Sequence, residues 1–272
     1  MRKQIINAII KKDIREIRSA KMLIGPVFIP QTATCLVLPA VILVIGYLTK
    51  DAFIKSMPFL RDTLLPLYRV SETFGSEYEQ VLFIIANYTF VPLLMLMPLQ
   101  AAMVIGINSF IGEKQRKTLE TILYSPVSNR EFVTAKLAAV LIPSVLLTAI
   151  ECIIYAVICN LVSWIFSGKL IITSSILILS ALVFNPAVSA FGLTIVMLVA
   201  VKAKTHAEAE HIAGLFILPF ISLMITQVAG LYTLTALQII AASLVLALTS
   251  LFLILKTAPS FNREEIIKTC NL

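Results

Sequence analysis

Charge is scarce in this chain. Only 14% of its 272 residues are Asp, Glu, Lys or Arg, against about 25% in an ordinary soluble domain. No stretch is long and polar enough to form a separate soluble domain. The nine glycines include no G-x-x-x-x-G-K-[ST] run, so the chain has no phosphate-cradling nucleotide loop of its own. HExxH and GxSxG are absent too, which removes the zincin and serine-hydrolase signatures. The four cysteines form neither a CxxC nor a paired secreted pattern. Cys35, Cys152 and Cys159 fall in apolar stretches and Cys270 in the tail, so they read as small buried apolar residues. The start, MRKQIINAIIKKDIREIRSAK, is too charged and lacks the apolar core of a cleavable signal peptide.

What remains is hydrophobic: 59% of residues, with a mean hydropathy of +0.96. This predicts an integral membrane protein, all-α, with six spans in one transmembrane domain over residues 1–272. The spans are expected at about Val27–Leu48, Val81–Ile111, Glu131–Phe166, Leu170–Val201, Ala209–Ala229 and Thr233–Leu255. Pro39 is expected to kink the first, and Asn185-Pro186 to break the fourth. Trp164 and Phe166 fall where an interfacial aromatic belt belongs. The longest outer loop, about 49–80, shows no readable function. With both termini inside, 17 of the 22 lysines and arginines lie in cytoplasmic segments and five in outer loops. That asymmetry supports the topology. It also accounts for the net charge of +7 by membrane flanks rather than nucleic acid.

Residues 1–21 read as an interfacial amphipathic helix. Ile5, Ile6, Ile9, Ile10, Ile14 and Ile17 form its apolar stripe, with lysines and arginines opposite. Calmodulin-like or nucleic-acid binding would also suit such a helix. The longest charged break inside the apolar chain is GEKQRKTLETILYSPVSNREFVTAK, Gly112 to Lys136. Leu119, Ile122 and Leu123 share one helical face, and Glu113, Lys114, Arg116, Lys117 and Glu120 supply the rest. Pro126 ends the helix. Ser128 with Glu131 restarts another as a capping box, with Val127 and Phe132 at the staple positions.

A second break, KAKTHAEAEHIAGL, restarts a helix at the Thr205–Glu208 capping box. Its His206, Glu208, Glu210 and His211 fit no metal spacing: His206 and Glu210 share a face, but His211 is rotated away. They read as a solvated helix start with carboxylates near the positive dipole end. Glu151, in LLTAIECIIYAV, is the one acid near the centre of a span. An ionisable group there costs on the order of 2.5–3.5 kcal/mol, so it should face a cavity or a partner. It is either a pathway or gating residue, or a protonated group bonded to another span. Gln100, Asn185 and Gln227 are its candidate partners. In the tail, Asn262 with Glu265 can cap a short helix.

The run Glu113-x4-Thr118-Leu119-Glu120-x-Ile122-Leu123-x2-Pro126-Val127-Ser128, then Arg130-Glu131 and Lys136, resembles the cytoplasmic segment of ABC transporter permeases of the type-2 exporter group. The likeness is specific over about 25 residues; elsewhere it rests on span layout and the character of the termini. It implies that residues 112–128 hold a coupling helix that docks into an ATPase. Glu113, Thr118, Leu119, Glu120, Ile122, Leu123 and Pro126 would then carry the coupling. The 1–21 helix would be a connecting helix, and 257–272 a charged cytoplasmic tail. The resemblance further implies a second permease subunit, identical or related, and a pair of separate ATPase subunits holding ATP and magnesium. The setting would be the cell membrane, with lipid around the spans and no cofactor in this chain. Glu151, Asn185 and Gln100 would stand along the pathway. The other classes open to the sequence are a secondary transporter with Glu151 as ion carrier, and an intramembrane enzyme. A single midplane acid and no intramembrane histidine disfavour the enzyme.

Overall fold

The computed structural model describes residues 21–56, 76–112, 129–172, 174–203, 205–229 and 235–257, together with residues 11, 12 and 15. Helices make up nearly all of it, and no strand occurs among the described residues. In order they are α1 (Lys21–Thr49), α2 (Asp51–Ser56), α3 (Glu77–Ile84), α4 (Val91–Ile107), α5 (Asn129–Ser167), α6 (Ser175–Leu179), α7 (Asn185–Lys202), α8 (His206–Leu215), α9 (Leu218–Val228) and α10 (Ala236–Thr257). Single π-helical turns join α3 to α4 (Ile85–Thr89), extend α4 (Asn108–Gly112) and join α6 to α7 (Ser180–Phe184). Among the described residues, five stretches are long and apolar enough to cross a membrane: Glu77–Gly112, Thr134–Ser167, Ser175–Ala200, His206–Gln227 and Ala236–Lys256. The first expected span is α1, whose Cys35–Thr49 part is a shorter apolar helix. The expected interfacial helix, the 113–128 coupling segment, most of the outer loop and the tail lie outside the described residues, apart from the few named above.

The Glu77–Gly112 column is the centre of the bundle. Its most apolar window is 83% buried inside the protein. It is hydrophobic all round, as a helix enclosed on every side must be. α7, α5 and α1 pack around it. α5 and α10 turn large apolar residues outward, Ile153 and Trp164 on one, Leu248 and Phe252 on the other. In lipid, such outward faces are the expected surface of a span.

Two prolines shape the spans through the bond each cannot make. Proline has no N–H and its ring crowds the carbonyl four residues back. Pro92 and Pro186 each sit at the first turn of a helix that directly follows a π-helical turn. The wider turn takes up the misfit. The expected break at Asn185-Pro186 therefore appears as a change of helical pitch. The carbonyl of Tyr88, which Pro92 cannot serve, accepts a hydrogen bond from the Gln227 amide at 2.8 Å. Tyr155 donates to the Ala86 carbonyl in the same π-turn at 2.6 Å. α1 runs as one helix past Pro30 and Pro39.

α4 and α7 approach closely because small residues line the seam. A Cβ at Gly192 would stand 3.1 Å from the Leu99 carbonyl oxygen and 3.0 Å from its Cδ1. The oxygen belongs to helical backbone and cannot swing away. Gly192→Ala is expected to destabilise the bundle by about 1–3 kcal/mol through overpacking. A lower melting temperature in detergent checks this. An unchanged melt would mean that the seam is looser than described.

The far end of the α5–α6 turn is tied down by polar side chains. Gly168, at φ +68°, ends α5 in the left-handed conformation, and its N–H bonds the Trp164 carbonyl. Asn160 accepts from the N–H groups of Ile171 and Ile172. Asn87 donates to the Ile171 carbonyl and accepts from the Ser174 N–H.

Candidate functional site

Lys136 is fully buried, though it lies only seven residues into α5. Ala135, Ala139 and Val140 around it are buried as well. A lysine enclosed in this way must hand its N–H groups to acceptors, or the burial costs too much. Its Nζ donates to the Ser109 carbonyl at 2.8 Å and the Ser109 hydroxyl at 3.0 Å. The ammonium also lies 5.8 Å from the centre of the Phe110 ring, a distance at which a cation is drawn to the ring face. Ser109 belongs to the π-turn that ends α4. A cation there meets the negative end of the helix dipole. Lys136 thus binds the root of α5 to the last turn of the central column. These are the two helix ends from which residues 113–128 depart.

α8 joins the same place. Thr205 caps it, its hydroxyl accepting from the Glu208 N–H at 3.2 Å, as the capping-box pattern predicts. His206 lies over Gly112, with its Nε2 3.4 Å from where a Cβ at Gly112 would stand. Glu208, Glu210 and His211 are exposed. The structure therefore gathers the roots of both charged breaks at one end of the bundle. Glu113, Thr118, Leu119, Glu120, Ile122, Leu123 and Pro126 lie outside the described residues.

The second candidate site is a polar cluster at the middle of the spans. Glu151 is 7% exposed and accepts a hydrogen bond from the Thr32 hydroxyl at 2.9 Å. Its neighbour Cys152 is contacted by the Asn185 amide nitrogen at 3.5 Å, while the Asn185 carbonyl oxygen is buried without a partner. α1, α5 and α7 each contribute one side of this cluster. The expected partners of Glu151 are corrected here. The residue bonded to it is Thr32 on α1; Asn185 reaches the adjacent cysteine, and Gln227 caps Tyr88 instead. Gln100 is half-buried on α4 and bonds neither Glu151 nor Asn185 among the described residues. The reason is steric: α5 packs along α1, which turns Glu151 toward Thr32.

Sequence reasoning missed two features. Lys136 reads as a loop cation, one more positive charge at a span end. The signal that singled it out was its place at the close of the Glu113–Ser128 run, where the resemblance includes it. Gln227 was readable in principle. A proline four residues beyond Tyr88 creates a carbonyl in need of a donor, and a glutamine within a span is a natural one.

The family described as ABC-2 family transporter protein matches residues 54–216. The match takes in Ser109, Lys136, Glu151, Asn185 and His206. No curated protein and no solved structure matches the chain.

Proposed function

The chain belongs to the ABC-2 transporter family, and from that premise we propose that it is the permease subunit of an ATP-driven exporter. Its spans would form half of the pathway. A second permease, identical or related, would supply the other half, and a pair of separate ATPase subunits the energy. The observation that carries this reading is the Lys136 knot. A push delivered to residues 113–128 arrives at two helix ends already joined through Ser109, with α8 seated on Gly112. The central column and α5 then move together, and α7 follows through its close seam with α4. Such packed seams are bistable rather than continuously deformable, which is how a small shift becomes a discrete transition.

In this reading the Lys136 end faces the cytoplasm. Leu119, Ile122 and Leu123 form the face that meets the ATPase, and Glu113, Thr118 and Glu120 frame it. Replacing Glu120 and Leu123 together by alanine is expected to leave the membrane level of the chain intact while removing transport-linked ATP hydrolysis. Hydrolysis that proceeds at the parent rate would sink the assignment of the coupling helix.

Glu151 supports a second reading, a carrier driven by an ion gradient. The observation in its favour is a buried acid whose one donor among the described residues is a neutral hydroxyl, Thr32. Within the ATP-driven reading, Glu151, Asn185 and Gln100 stand along or beside the pathway.

A further inference from the structure

α9 and α10 follow one another in sequence, and consecutive antiparallel helices joined by a short connection ordinarily pack together. Here they are parted. α9 leans on α4, α10 leans on α7, and between them lies a cavity of about 470 Å³. That volume falls within the roughly 300–1,000 Å³ of ordinary small-ligand pockets. Its wall is strongly apolar: Phe184, Phe191, Phe216 and Phe220, with Pro92 and Pro219. Among the described residues, Gln238 is the one polar side chain on it.

We propose that this slot is a binding site for one acyl chain of a membrane glycerolipid, with the chain's ester carbonyl at Gln238. Three observations select this occupant. All four walls are spans, so the slot lies at hydrocarbon depth. Leu223 on α9 and Val245 on α10 line it and are also 47% and 58% exposed, so it opens between two outward apolar faces, where lipid chains are what surrounds a span. Finally, an ionic or peptide ligand would leave its polar groups without partners on this wall. A hydrocarbon chain loses nothing there, and it fills space that would otherwise forgo its dispersion contacts. Gln238 provides the polar end. Its carbonyl oxygen accepts from the Thr235 N–H at 2.9 Å in a helix cap, which leaves the amide N–H groups to donate. An ester carbonyl is an acceptor without a donor and matches them.

This inference rests on the multi-pass membrane placement and not on the ATPase assignment. The test uses the full chain in phosphatidylcholine vesicles containing a fraction of phosphatidylcholine with a photoreactive diazirine at the end of one acyl chain. Irradiation and peptide mapping are expected to label Phe216, Phe220 or Leu246 inside the slot, as well as the outward face of α5 at Ile153 and Trp164. Ala242→Phe, which fills the slot, is expected to abolish the interior label and leave the α5 label unchanged. Leu223→Trp, at the mouth, is the second variant should Ala242→Phe fail to fold. Label confined to α5, interior label that survives both fillings, or cross-links joining the slot to a second copy of the chain would each overturn the proposal.

Discussion

Replacing Lys136 by methionine is expected to separate ATP hydrolysis from transport. Methionine keeps most of the length and apolar stem of lysine, so the buried site stays filled. What is lost is the ammonium, with its bonds to the Ser109 carbonyl and hydroxyl among its contacts. Hydrogen bonds to a charged group contribute about 1.5–3 kcal/mol each in net terms. Losing that hold between the two roots of the charged break should reduce transport per ATP by about tenfold or more, since each 1.4 kcal/mol is a factor of ten. Membrane level and basal hydrolysis should change little. Lys136→Arg keeps the charge and its donors and should recover part of the coupling, although its planar fork fits a single carbonyl and hydroxyl less well. A merely structural lysine would give another pattern: level, hydrolysis and transport falling together, with no rescue by arginine. Measuring transported substrate per ATP hydrolysed in proteoliposomes decides between the two.

The second large effect is expected at Glu151. A carboxyl group at the centre of a span costs on the order of 2.5–3.5 kcal/mol to insert. Glu151→Leu should therefore insert at least as well as the parent chain. If the acid stands on the pathway, transport should nonetheless fall by about tenfold, equivalent to about 1.4 kcal/mol of lost interaction. Glu151→Gln retains a carbonyl oxygen for the Thr32 hydroxyl and should keep most ATP-driven transport. Full activity in Glu151→Leu would make the residue a structural tie between α1 and α5. An inactive Glu151→Gln, with transport that follows an ion gradient, would make it the carrier of the second reading. Insertion is read from membrane level and transport from vesicle uptake, so the two effects separate.

The spans were legible because hydropathy reports burial in lipid and protein alike. The all-helical architecture and the long apolar spans follow from apolar length, and the helix start at His206 from its Thr205 cap. The break at Asn185-Pro186 was legible because proline removes a specific bond. Which helix becomes the central column was not. The Glu77–Gly112 column and α5 are both strongly apolar, yet one is enclosed and the other faces outward. The tight seam at Gly192, where an added Cβ would stand 3.0 Å from Leu99 Cδ1, belongs to the enclosed column, and no local pattern marks it in advance. Pairing across the bundle was equally hidden. Thr32 and Glu151 lie 119 positions apart, and no local pattern indicates that α1 rather than α4 supplies the donor. Lys136 shows the sharpest limit. Counting charges at span ends gives topology, but a count treats a buried lysine like a solvated one.

The most direct measurement is copurification followed by reconstitution. The tagged chain is extracted gently from its native membrane, its partners are identified, and the complex is tested for transport in vesicles with and without ATP. The account predicts an ATPase subunit in stoichiometric amount and transport that requires ATP. A chain that emerges without an ATPase and transports in vesicles lacking ATP would contradict it, and would move the mechanism from the Lys136 knot to Glu151.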